Sequence, residues 1–219
     1  MKNLQKMGGI AALYEAAAYI VGMIVFIFMI DLSSAVTPVE KVELLVDNQT
    51  VLYTMHLLVF VMFSPFLVIL SLALYERLKS HSLAMMQTAT VFGMIWACVV
   101  VAAGMIYNIG MGNVVELYAS DPNQASTVWL AIHSVFDGLG GGNEILGGIW
   151  ITLISLVAFQ GKEFGKALNY LGLLVGVAGI LSSIPPLGEV ASAIFGLGQI
   201  VWFIWLGIAL LRTDMSKSD

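Results

Sequence analysis

Residues 121–160 read DPNQASTVWLAIHSVFDGLGGGNEILGGIWITLISLVAFQ. The stretch opens as a helix should. Asp121 suits the N-cap and Pro122 the first turn, and Gln124 stands where it can complete a capping box. Helix-forming sequence then continues to Gln160. One unbroken helix over 124–160 would be about 55 Å long, against a bilayer core of about 30 Å. Such a helix projects far outside a membrane or breaks. The run Gly138-Leu139-Gly140-Gly141-Gly142 is the natural break, because glycine is the poorest helix former after proline. A short helix over 122–137, a turn, and a span over 141–160 are therefore expected.

The rest of the chain justifies the membrane. It has 219 residues, 59% hydrophobic and only 11% charged, with mean hydropathy +0.94. Soluble domains carry about 25% charged residues, so this chain cannot cover a water-facing surface. Apolar runs of spanning length fall near 8–30, 51–75, 84–107, 141–160, 167–184 and 190–211. The expected fold is all-α: one membrane domain over 1–219, a polytopic bundle of six transmembrane helices with a short outer-side helix before the fourth span. Strand-like alternation is absent, which argues against a β-barrel. The first run is followed by a small-residue site, Ser33-Ser34-Ala35. Its apolar core is too long for a signal peptide and Glu15 interrupts it, so it is expected to be a retained helix.

Basic residues orient the bundle. With six spans and both termini on one side, Lys2, Lys6, Arg77, Lys79, Lys162, Lys166, Arg212 and Lys217 share that side, and only Lys41 lies opposite. The positive-inside rule makes that side cytoplasmic, in the plasma (inner) membrane. Loops 31–50, 108–126 and 185–189 then face outward and are acidic, with Asp31, Glu40, Glu43, Asp47, Glu116, Asp121 and Glu189. No basic cluster meets the need of nucleic-acid phosphates, and a lone cysteine, Cys98, forms no internal disulfide.

Ionisable groups at membrane depth are costly and mark functional sites. His133 and Asp137, four apart, share a helix face. Asn143 and Glu144 follow the glycine break, and His56 lies in the second span at a similar depth, as do Tyr107 and Asn108. His133, Asp137, Asn143, Glu144 and His56 are thus the candidate ligand-binding residues. His133, Asp137, Glu144 and His56 are also donors of types zinc accepts, although no HExxH spacing is present and no metal is expected by default. The competing explanation is structural: Asp137 holding His133, and glycines 138, 140–142, 147 and 148 packing helices. The glycine run is no phosphate loop, since it lacks the Gly-Lys-Ser/Thr ending. Elsewhere, Glu15 in the first span needs a polar partner, for which Gln199 is suited. Ser64-Pro65 marks a kink, and Gly172-Leu-Leu-Val-Gly176 is a small-xxx-small packing face. Trp202 and Trp205 suit an interface belt, and His81 a solvated loop.

The ordered set LQKMGGIAALYEAAAYIVG, IWACVVVAAGMIYNIG, GLGGGNEILGGIW, KALNYLGLLVGVAGIL and FGLGQIVWFIWLG resembles DUF4386, a bacterial six-helix membrane family of unknown function, over nearly the whole chain. The resemblance implies an integral membrane protein of six helices and names no reaction, cofactor or site.

Three functions from different classes fit these residues. One is an outward-facing polar pocket for a small molecule or lipid head group. Another is a metal-dependent intramembrane hydrolase, with Glu144 or Asp137 as general base on a metal-bound water. The last is an assembly subunit with no site of its own, partnered by another membrane protein. Membrane lipid is the expected surroundings in each. No internal repeat supports a secondary transporter, and no lysine inside a span supports a retinal protein.

Overall fold

The computed structural model describes residues 2–30 and 35–215. Asp31, the pair Ser33-Ser34 and Lys217, used above, lie outside the described residues. The described chain is helical with no strand: α1 (Lys2–Ile24), α2 (Pro38–Asp47), α3 (Gln49–His56), α4 (Phe63–Leu78), α5 (Leu83–Tyr118), α6 (Pro122–Phe136), α7 (Glu144–Gln160), α8 (Lys166–Leu181) and α9 (Gly188–Met215). Wide π-turns over Val25–Met29, Leu57–Val61 and Asp137–Gly141 extend α1, α3 and α6. Five stretches are long and apolar enough to cross a membrane: Asn3–Met29, Gln49–Leu78, Leu83–Tyr118, Pro122–Gln160 and Gly188–Arg212. Six were expected. The remaining one, α8, has only 16 residues, about 24 Å of helix.

The break in the fourth segment lies where the glycines are, but its form differs from a simple turn. The helix widens over Asp137–Gly141 and ends at Gly142, and α7 starts after Asn143. At α6 the Asp121 carboxylate accepts the Gln124 N–H at 2.9 Å, as its sequence foretold. Two segments expected as loops are more ordered than that. The third span does not stop at 107 but runs on to Tyr118. Met111 and Val114 there are fully buried and Gly110 faces Ile132 of α6, so packing overrides the glycine-rich, polar sequence. Loop 31–50 contains α2, started by a capping box in which Thr37 and Glu40 answer each other and Pro38 takes the first turn.

Small residues bring the main helices together. A Cβ on Gly148 would sit 2.6 Å from the Gly176 carbonyl oxygen, and one on Gly9 would sit 3.0 Å from that of Gly207. Gly172 and Gly176 do form the expected packing face, against Ser155 and Thr152. Glycines 147 and 148 pack as well, whereas 138 and 141 face open space, so the packing role does not extend to the whole run. Between the helices Trp96, Trp150 and Trp202 form a column with successive centroids 5.8 Å apart. Trp202 is therefore a core residue rather than part of an interface belt, while Trp205 is exposed. Ser64 and Pro65, where a kink was expected, lie in the first turn of α4, just after the π-turn Leu57–Val61.

One end of the bundle is basic. Arg77 donates to Glu163 through Nη2 (2.7 Å) and Nε (3.1 Å) and lies over the Phe164 ring. His81 is not simply solvated: its ring backs onto Gly161, and Nε2 stands 3.8 Å from the Glu163 carboxylate. The α7–α8 loop reaches this clamp through three left-handed residues, Lys162, Phe164 and Gly165. Beside it the Glu76 carboxylate accepts from Lys79 at 2.7 Å and holds the Lys79 ammonium above its ordinary pKa. The opposite, distal end carries α2, α3, α6 and the three π-turns.

Candidate functional site

At the distal end the described helices do not close on one another. They leave a cavity of about 440 Å³, within the size range of small-molecule sites. Its walls come from the π-turn after α1 (Phe26), α2 (Lys41, Leu45), α3 (Leu52, His56), α5 (Tyr107) and α6 (Trp129, His133). Phe136 and Asp137 complete it at the start of the third π-turn.

His56 forms the floor. It is 1% exposed, and its Nδ1–H donates to the Leu52 carbonyl at 2.8 Å. Its ring stacks on Tyr107 with centroids 3.4 Å apart and meets Phe136 edge-on at 5.4 Å. Trp129 stands edge-on to both Tyr107 and His133, which continues the aromatic wall to the surface. His133 lies at the rim, where its Nδ1–H donates to Asp137 at 2.9 Å. Both side chains of this pair are largely exposed, at 43% and 61%, so the bond positions the imidazole more than it stabilises the fold.

The five sequence candidates therefore divide. His56, His133 and Asp137 line the cavity; Asn143 and Glu144 do not. Asn143 is a buried fastener. Its Oδ1 accepts from the Trp96 indole at 2.7 Å, and its Nδ2 donates to the carbonyls of Leu139 and Gly140. Those carbonyls lie in the π-turn, so the side chain ties the widened backbone to α5. Glu144 begins α7 and stands beside Ser192 of α9. Among the described residues no three His, Cys, Asp or Glu side chains gather as a metal site. Chemically the cavity offers an aromatic interior for apolar groups and a polar rim of Lys41, His133, Asp137 and Ser134.

Lys41, Trp129 and Phe26 were missed as site residues. The signal for Lys41 was present, since it was the one basic residue on the wrong side of the charge bias. The signal for Trp129 was weaker: an aromatic on the face of α6 shared with His133, four positions on.

A helical bundle with five membrane-length apolar stretches belongs to the class of multi-pass membrane proteins. Within that class the chain is a member of the family described as Domain of unknown function (DUF4386), whose model matches residues 10–209. No curated protein and no solved structure matches the chain.

Proposed function

We propose that the protein binds a small amphipathic molecule with an acidic head in the distal cavity. The head sits at the rim near Lys41 and His133, and the apolar part lies against Phe26, Tyr107, Trp129 and Phe136. In this arrangement α8 is the sixth crossing, both termini are cytoplasmic, and the distal end faces outward from the plasma membrane. One observation carries the reading: among the described residues, the lysine or arginine at the distal end is Lys41, and it lines the cavity. It makes no ion pair there with a described residue. A lone cation beside an aromatic cavity is complementary to an anionic amphiphile.

A brominated fatty acid added to the purified protein tests this, because bromine quenches nearby indoles. Saturable quenching is expected, with its main component lost in Trp129→Phe. Lys41→Glu should weaken binding about tenfold, or ~1.4 kcal/mol. Quenching that does not saturate, or that ignores both substitutions, would remove the proposal.

A further inference from the structure

A second polar feature lies apart from the cavity, in the packed core. Glu15 of α1 and Gln199 of α9 are both fully buried, at 0% exposure. Neither carboxylate oxygen of Glu15 and neither amide atom of Gln199 has a hydrogen-bond partner among the described residues. The pairing of these two residues expected from sequence is thus not made.

The helix register shows how the residues line up. α1 and α9 run antiparallel, with Gly9 against Gly207 and Leu211 near one end, and Ile20 sharing an apolar groove with Ile200 and Val201 further along. Gln199 therefore lies level with Tyr19, and Glu15 lies one turn from Tyr19 toward the basic end. The Tyr19 hydroxyl faces the Gln199 amide without a bond of good geometry, and it lies within electrostatic reach of both Glu15 and Glu144. Glu144 is partly accessible at the distal end of α7. Tyr19 and Asn143 also border a small void of about 90 Å³, room for a few waters at ~30 Å³ each. Glu144, Tyr19, Gln199 and Glu15 thus trace a polar line from the distal end into the core.

Among the described residues no cation is paired with Glu15. The elements packed on α1 are α4, α9 and the first two π-turns. Among the described side chains their charged residues sit at helix ends, Glu76 and Arg77 on α4 and Glu189 and Arg212 on α9. The ionisable groups near the carboxyl are Tyr14, Tyr19 and, through Tyr19, Glu144. Tyr14 is turned away: its hydroxyl donates to the Leu58 carbonyl and its ring stacks on Phe66. An ionised carboxylate with neither counter-charge nor donors at this depth is strongly disfavoured.

We propose that Glu15 is a buried proton-binding site, loaded and unloaded from the distal side through Glu144 and Tyr19. The Glu144 carboxylate takes a proton from water. The Tyr19 hydroxyl passes a proton toward Glu15 and accepts another from water in the adjoining void in the same step, so that no tyrosinate forms. The Glu15 carboxylate becomes a carboxylic acid that can donate to the Gln199 amide oxygen, and the reverse sequence releases the proton. No electron moves and no other reactant is consumed. The site is independent of the ligand cavity and stands or falls separately from it.

Infrared difference spectroscopy of the full-length protein in liposomes tests the inference. A carbonyl band of a protonated carboxyl, shifted on transfer to heavy water, should be present in the wild type. The band should vanish in Glu15→Gln and move in Glu15→Asp. Its deuterium exchange should slow severalfold in Tyr19→Phe and in Glu144→Gln, both of which keep the band. Absence of the band in the wild type, including its replacement by a signal that depends on added sodium, overturns the proposal. So does a band that persists unchanged in Glu15→Gln, or exchange unaltered in both Tyr19→Phe and Glu144→Gln.

Discussion

The helix core of this bundle and its cavity-bearing distal end are built from similar apolar sequence and packed in opposite ways. Through the packed core, glycines let α7 meet α8 and α1 meet α9 at backbone distance, and large indoles fill what remains. Toward the distal end, three helices widen into π-turns, and the walls that result enclose a cavity of about 440 Å³. A π-turn inserts a residue into the helical repeat, so side chains beyond it rotate off the face they would have covered. The lesson is that apolar composition sets burial in lipid, while the placement of glycines and wide turns sets whether helices close or leave room.

The contrast is easiest to break at Gly148. Its Cβ position lies 2.6 Å from the Gly176 carbonyl oxygen, and backbone cannot yield as a side chain does. Gly148→Ala should therefore lower stability by about 2–3 kcal/mol, read as thermal unfolding in bicelles. Gly138→Ala, with nothing within 4 Å, should be neutral or gain up to ~1 kcal/mol from helix propensity. Equal losses at both positions would show that the helix core and the wide glycine turn are packed alike.

Asn143 joins the two regimes, and its removal is the next largest effect. Asn143→Ala leaves the Trp96 indole N–H and two π-turn carbonyls without their partner. A loss of about 2 kcal/mol is expected, with faster hydrogen exchange over 137–142. Stability lost without that faster exchange would mean that the side chain does not hold the widened turn.

The smallest effect concerns α2. The Glu40 carboxylate accepts the backbone N–H groups of Thr37 and Val36 at 2.7 and 2.8 Å, which holds its pKa below the ordinary value. A lowered folded-state pKa contributes stability above the unfolded value, and that contribution is lost as pH falls through the folded one. Hydrogen-exchange protection of α2 should thus decline in that acidic window, with little change in the packed core. Glu40→Gln should flatten the response, and an identical acid profile in the variant would rule out the capping carboxylate as its source.

Much of this was legible in the sequence, for reasons that can be named. The break after α6 was readable because glycines are clustered there and a helix spanning both segments is too long for a bilayer. The His133–Asp137 contact was readable because residues four apart share a helix face. The capping box at Thr37-Pro38-Val39-Glu40 is equally present in the sequence, although it lies within residues 31–50 that read as a loop. By contrast, residues 108–118 looked like loop and are helix, because α6 covers them. Asn143 looked like a ligand and is a fastener, since only the fold brings Trp96 to it.

By itself the sequence determined an all-helical chain suited to lipid, the place of its break, and the segregation of basic residues. These follow from hydropathy, helix propensity and charge, which are local quantities summed along the chain. Only the tertiary structure decided that His56 and Tyr107 stack beneath an aromatic cavity, that Lys41 stands at its rim, and that Glu144 turns away toward Ser192 and Tyr19. It also left Glu15 and Gln199 buried and unbonded among the described residues. Those outcomes depend on which helix faces meet and at what register, and these are properties of pairs of segments far apart in the chain.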